Sequence, residues 1–182
     1  MASAAQSYLH GASPVPLLGE TIGENLDRTV AAFGDRDAVV SVHQGIRQTY
    51  AQFHESVTEI ACGLLALGIE PGDRVGIWSP NNAEWVTLQY ATAKVGAILV
   101  NINPAYRTSE LAYALRQSGV STLVLAARFR QADYLAMLDE VAGDLPALQR
   151  RIVLGSEAPA GAMSWDDLRE RAAGASRDDL RA

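Results

Sequence analysis

Four short apolar runs, at residues 74–79, 97–101, 121–126 and 151–155, are separated by stretches of helical length that carry one apolar face. No other feature constrains the fold as tightly. A run of five or six residues without polar alternation reads as a strand buried on both sides. Strands of that kind spaced by helices form a parallel sheet, because each crossover returns over one face, and it does so with right-handed sense. The expected fold class is therefore α/β, a mostly parallel sheet with helices on both faces.

The spacers carry matching punctuation. Thr21 opens a helix with Ile22, Leu26, Val30 and Phe33 on one stripe, and Gly34 is expected as its left-handed terminal glycine. Residues 38–43 and 46–50 are β-prone and separated by Gln44-Gly45, which predicts a short N-terminal β-hairpin. Phe53, Val57, Ile60, Ala61, Leu64 and Leu65 mark the next helix, closed by Gly68. Asn81 or Asn82 is the expected N-cap of a helix that turns Trp85, Leu88, Thr92 and Val95 inward. A further helix starts near Thr108 or Ser109, places Leu111 and Leu115 inward and ends at Gly119. Residues 131–142 are expected as a helix with Leu135, Leu138 and Val141 or Ala142 inward. Ser164 and Asp167 have the spacing of a capping pair. Three segments result: 1–20 lying loosely over the surface, 21–171 as the α/β unit, and 172–182 as a small, charged tail or linker without an apolar face.

Composition removes several functions. Fifteen basic residues against twenty-one acidic ones give a formal charge of −6, with Lys94 the single lysine. A nucleic-acid surface needs clustered Lys and Arg, so no nucleic-acid partner is expected. The pairs Arg128 with Arg130 and Arg150 with Arg151 are expected at solvated element ends. One cysteine, Cys62, excludes an intrachain disulfide, and it reads as a small core residue. His10, His43 and His54 lack metal-ligand spacing, so no metal site is expected. The chain has no Gly-x-Gly-x-x-Gly, no Gly-Lys-Ser/Thr and no Gly-x-Ser-x-Gly. Asp139-Glu140 and Asp166-Asp167 are adjacent pairs that diverge on a helix and do not form an acid–base couple. With neither a signal-peptide pattern nor a membrane-length apolar stretch, the expected location is cytoplasmic.

Two stretches follow strand ends, the edge at which open α/β sheets bind ligands. Residues 80–85, Pro-Asn-Asn-Ala-Glu-Trp, are explained by helix capping and a core tryptophan. Residues 101–107, Asn-Ile-Asn-Pro-Ala-Tyr-Arg, admit two readings. One is a helix-entry loop with a surface arginine. The other is a ligand contact in which Tyr106 stacks and Arg107 grips a phosphate.

Thr49-Tyr50-Ala51-Gln52-Phe53, Gly72-Asp73-Arg74-Val75, Pro80-Asn81 and Trp85 stand in an order that is familiar. So do Gly96-Ala97, residues 103–107, Glu110-Leu111 and Leu123-Val124. From about residue 20 onward the chain resembles the N-terminal portion of a fatty-acid–CoA ligase, an acyl-CoA synthetase of the AMP-binding, adenylate-forming superfamily. The resemblance implies a parent that uses ATP, Mg2+ and CoA to convert a fatty acid into an acyl-adenylate and then an acyl-CoA. It also implies that Tyr106 and Arg107 lie near the CoA channel. The family's Ser/Thr/Gly-rich loop ending in Pro-Lys-Gly, its Tyr-Gly-x-Thr-Glu segment, its ribose-binding Asp and its mobile-domain lysine have no counterpart in these residues. The expectation is a front subdomain that does not catalyse by itself, holds no cofactor tightly and has the rest of the ligase as its partner. The alternative left open is a stand-alone, non-catalytic α/β binding or interaction module descended from such ligases. In either form an uncovered sheet edge favours self-association.

Overall fold

Helix starts are encoded as reciprocal side-chain caps, and the folded chain forms them. A computed structural model describes Gly11 and residues 15–181; the segment expected to lie loosely at the N-terminus, with His10, falls largely outside the described residues. Helix α1 (Ile22–Phe33) begins where Thr21 Oγ1 accepts the Glu24 amide at 3.1 Å and Glu24 accepts the Thr21 amide at 2.7 Å. Gly34 departs from expectation. It stays right-handed at φ −49°, and it is small because the Val30 carbonyl lies 3.0 Å from where a Cβ would stand. Strands β1 (Asp37–Ser41) and β2 (Ile46–Thr49) form the hairpin, with a tight helical turn over Val42–Gln44 and a left-handed Gly45 between them. Tyr50 belongs to α2 (Tyr50–Ala66) rather than to the strand, because Thr49 and Gln52 form a second reciprocal cap.

The α/β alternation follows: β3 (Arg74–Trp78), α3 (Ala83–Lys94), β4 (Ile98–Ile102), α4 (Thr108–Ser118) and β5 (Thr122–Leu125). A two-residue-per-strand hairpin, β6 (Arg128–Phe129) and β7 (Ala132–Asp133), precedes α5 (Tyr134–Val141). It takes the place of the first turn expected at residues 131–133, since Asp133 caps the helix by accepting the Ala136 amide at 3.1 Å. Then come β8 (Arg150–Val153), β9 (Met163–Ser164) and α6 (Trp165–Glu170). Ser164 and Asp167 make both bonds of their cap at 3.0 Å.

Five parallel strands form one sheet in the order β4-β3-β5-β8-β9. Side chains alternate across it, as the pleat requires. Val75, Ile77, Val124 and Ile152 meet α2, α3 and α6 on one face; Trp78, Leu123, Leu125 and Val153 meet α4 and α5 on the other. Helices thus cover both faces, as the apolar runs predict. β4 differs in one respect: it is the sheet edge, and Ile98 is 48% exposed. β9 was not anticipated, because two residues are too few to register as a run.

Packing is closest where α2 meets α6. A Cβ at Gly63 would stand 2.3 Å from the Leu168 carbonyl, so only glycine permits this approach. Three helices are tied by one polar cluster, in which Asp27 Oδ1 lies 2.7 Å from both Lys94 Nζ and His54 Nε2. Desolvation raises the Asp27 carboxyl, but hydrogen bonds from Lys94 and His54 outweigh it and leave the group below its ordinary value. Cys62 is buried, and burial pushes its thiol up, consistent with an inert core residue. Beyond α6, short helical turns continue to residue 181, with Leu180 against the first core and Arg177 paired with Glu55. No described helix is long and apolar enough to cross a membrane.

Candidate ligand cleft

Counted in chain order, the sheet runs 2-1-3-4-5. The chain leaves β3 toward the α3 face and β5 toward the α5 face, so the segments beyond these two strands diverge and open a crevice at their carboxyl ends. On the α4–α5 side of this edge, the loop after β4 and the β6–β7 turn after β5, which both lead to helices of that face, enclose a cleft of about 250 Å3. Pro104, Ala105, Tyr106 and Arg107 line one wall, and Phe129, Arg130, Gln131 and Ala132 the other. Both predicted contact residues, Tyr106 and Arg107, are therefore in it.

The first wall is held from below. Trp78 and Tyr134 stack with ring centroids 3.6 Å apart and planes 5° from parallel, both fully buried. The Trp78 indole donates to the Asn103 carbonyl at 3.2 Å and the Tyr134 hydroxyl to the Pro104 carbonyl at 2.5 Å. Asn103 Oδ1 accepts the Ala105 amide at 2.9 Å, and Glu110 accepts the Arg107 amide at 2.8 Å. Burial pushes the Tyr134 phenol up to about 12, with the Arg107 charge acting in the opposite direction. Tyr106 is half-buried against the second core while Arg107 stays exposed.

Charge on the second wall comes from the turn. Arg130 has φ +54°, the one left-handed non-glycine residue among those described, and its guanidinium lies 5.0 Å over the Phe129 ring. An L-residue in this conformation costs about 1–2 kcal/mol. Arg128 is spent on Asp133 at 2.8 Å. Arg107 and Arg130 take part in no ion pair among the described residues. Two uncompensated guanidiniums beside Tyr106 and Phe129 suit an anionic ligand with a planar group. With no carboxylate or imidazole among its lining residues, the cleft is built to bind rather than to move protons.

The other predicted stretch has a different construction. Asn82 occupies the N-cap position of α3 without capping it. Gln44, at the hairpin turn, supplies the cap instead: its Oε1 accepts the Ala83 amide at 2.8 Å and its Nε2 donates to Glu84 at 2.8 Å. Trp85, expected in the core, is half-buried at its margin, and Trp78 holds the central position. Sequence reasoning missed Arg130, Phe129, Trp78 and Tyr134. The turn carries no Gly, Asn or Asp to announce it, and the Trp78–Tyr134 stack joins residues from distant elements. No group of three or more His, Cys, Asp or Glu side chains among the described residues fits a metal ion.

Comparison with known proteins places this geometry in a family. The model of the AMP-binding enzyme family matches residues 26–180. Medium-chain acyl-CoA ligase ACSF2, mitochondrial, from Danio rerio is 44% identical over 139 residues, 76% of this chain and 23% of that protein. Its Mus musculus counterpart is 43% identical over 143 residues, 79% of this chain and 23% of that one. The solved Mycobacterium tuberculosis fatty acyl CoA synthetase superposes with a TM-score of 0.66 at 28% identity, over 87% of this chain and 29% of that one. The chain spans about a quarter of the length of these curated relatives. It belongs to the AMP-binding enzyme family, and over the matched residues it is similar to acyl-CoA ligases.

Proposed function

We propose that these residues serve an ATP-dependent fatty-acid–CoA ligase and that the cleft receives the phosphate-bearing part of CoA. The observation that carries this reading is the placement of Arg107 and Arg130 across one cleft at the carboxyl edge of the sheet, neither in an ion pair among the described residues. In such a ligase a carboxylate attacks the α-phosphate of ATP, releasing pyrophosphate and leaving an acyl-adenylate; the CoA thiol then displaces AMP. These residues contribute to the second step by gripping the anionic end of the thiol substrate and orienting it. Mg2+ would neutralise phosphate charge in the first step. No cluster among the described residues fits that ion, and its ligands would come from elsewhere in the ligase. By themselves the 182 residues form no adenylate, because they lack each nucleotide-gripping motif that the resemblance names. The open β4 edge, with Ile98 exposed, supports self-association when nothing covers it.

Calorimetric titration of CoA into the protein tests the cleft. Arg107→Ala and Arg130→Ala are each expected to weaken binding about tenfold or more, the loss of one charge-assisted contact. Affinity unchanged in the double variant refutes the assignment. The native transcript beyond codon 182 tests the larger reading. A continuing frame with a Ser/Thr/Gly-rich loop and its lysine supports a ligase, whereas an immediate stop codon favours the stand-alone module.

A further inference from the structure

Helix α2 is buried almost all round over residues 57–64, although one face alone meets the sheet. Val57, Ile60, Ala61 and Leu64 form that face and pack into the first core. At about 3.6 residues per turn Cys62 points to nearly the opposite side, yet it is 2% exposed. Residues 165–181 cover that side. Gly63 abuts the Leu168 carbonyl, Glu59 accepts from Arg169 Nε at 2.9 Å, Gly174 lies against Ala66, and Glu55 pairs with Arg177. Burial raises the Cys62 thiol, and the charges of Arg177, Asp179 and Glu55 act on it as groups set beside it.

The two halves of this cover are fastened differently. Helix α6 is locked by its Ser164 cap, by the buried Trp165 and Leu168, and by the close approach at Gly63. In residues 172–181 the backbone hydrogen bonds close local turns, from Ala175 to Ala172 at 3.3 Å and from Asp179 to Ser176 at 3.2 Å; among the described residues none reaches α2. Side chains alone hold this stretch to α2: the exposed Arg177–Glu55 pair and the half-buried Leu180 against the first core. An ion pair so exposed contributes little. Thr58, one turn before Cys62, is buried with an Oγ1 that makes no hydrogen bond among the described residues, a hydroxyl that water would satisfy on exposure.

We propose that residues 172–181 are a strap that lifts from α2 as a unit while the sheet stays folded, opening the helix face that carries Glu55, Glu59 and Cys62. Segments docked by few apolar contacts, with their backbone bonds kept internal, open locally at a lower cost than the whole fold. Closed, the strap keeps the thiol inert; lifted, it leaves Cys62 in water on a face that is otherwise polar. The strap owes nothing to the ligase reading and stands or falls without it.

Cys62 is the single cysteine, so alkylation by iodoacetamide, read as one added mass per chain, reports the lifted state. Labelling in rising urea, kept below the unfolding transition, separates the two routes to the thiol. Strap opening exposes little surface, so its labelling rate should hardly depend on urea, whereas a rate set by global unfolding climbs with the full slope. Leu180→Ala should label about tenfold faster, again with little urea dependence, because it loosens the one apolar anchor. Ile152→Val, in the sheet core, weakens the closed and lifted states alike and should lower the melting temperature without changing the labelling rate. Wild-type labelling that follows the full unfolding slope overturns the inference. So does a Leu180→Ala rate equal to that of the wild type, or an Ile152→Val rate that rises in proportion to the stability lost.

Discussion

Tyr134 shows how one side chain serves packing and site at once. Its ring lies flat on Trp78 in the second core, and its hydroxyl holds the Pro104 carbonyl that begins the cleft wall. Burial keeps the phenol protonated up to about 12, above the ordinary value of 10.0. The folded state then retains a proton that the unfolded chain has released. Stability is full below pH 10 and falls as pH rises toward 12, by about 2–3 kcal/mol. Denaturant titrations across that interval should show the fall in the wild type and lack it in Tyr134→Phe. At neutral pH the same variant should cost about 1–2 kcal/mol, since the Pro104 carbonyl loses its donor. Neither partner of this stack was legible as a site residue, because a stack between β3 and α5 leaves no local pattern.

Two contacts between elements are equally specific. The N-cap of α3 comes from the β1–β2 turn, so Gln44→Ala should cost about 1 kcal/mol and speed exchange of the Ala83 amide. Asn82→Ala, at the formal cap position, should leave that amide protected. Equal effects in the two variants would refute the assignment. Position 63 sets how closely α2 approaches α6. On an isolated helix Gly63→Ala gains about 1 kcal/mol in propensity. In this fold the added carbon would stand 2.3 Å from the Leu168 carbonyl, and the forced separation should make the change destabilising by about 1–3 kcal/mol net. A raised melting temperature would show that α6 yields freely. The helix start at Thr21 and the cap at Ser164 were readable because each partner lies three residues away; the Thr49 cap has the same spacing but was hidden by the β-prone run that precedes it, and the Gln44 cap has partners on another element.

At the scale of the whole molecule, the proposed reading has this arrangement gather binding groups and leave chemistry to other parts of a ligase. Purified protein given ATP, Mg2+ and a fatty acid should release no pyrophosphate above the no-enzyme background; sustained release that survives repurification would refute this. Periodicity and capping by themselves determined the α/β class, the number of long apolar strands, the starts of α1, α4 and α6 and the stretch that holds Tyr106 and Arg107. Those properties depend on interactions within a few residues, or on an apolar pattern that any burial must respect. Only the tertiary structure decided that β4 is an edge, that Trp78 rather than Trp85 is the central tryptophan, and that Arg130 faces Arg107. Strand order comes from which strands hydrogen-bond, and the cleft from the loops after β4 and β5, which meet because both lead to helices on the same face of the sheet. Contacts of that range have no spacing along the chain, so their geometry exists only once the sheet has formed.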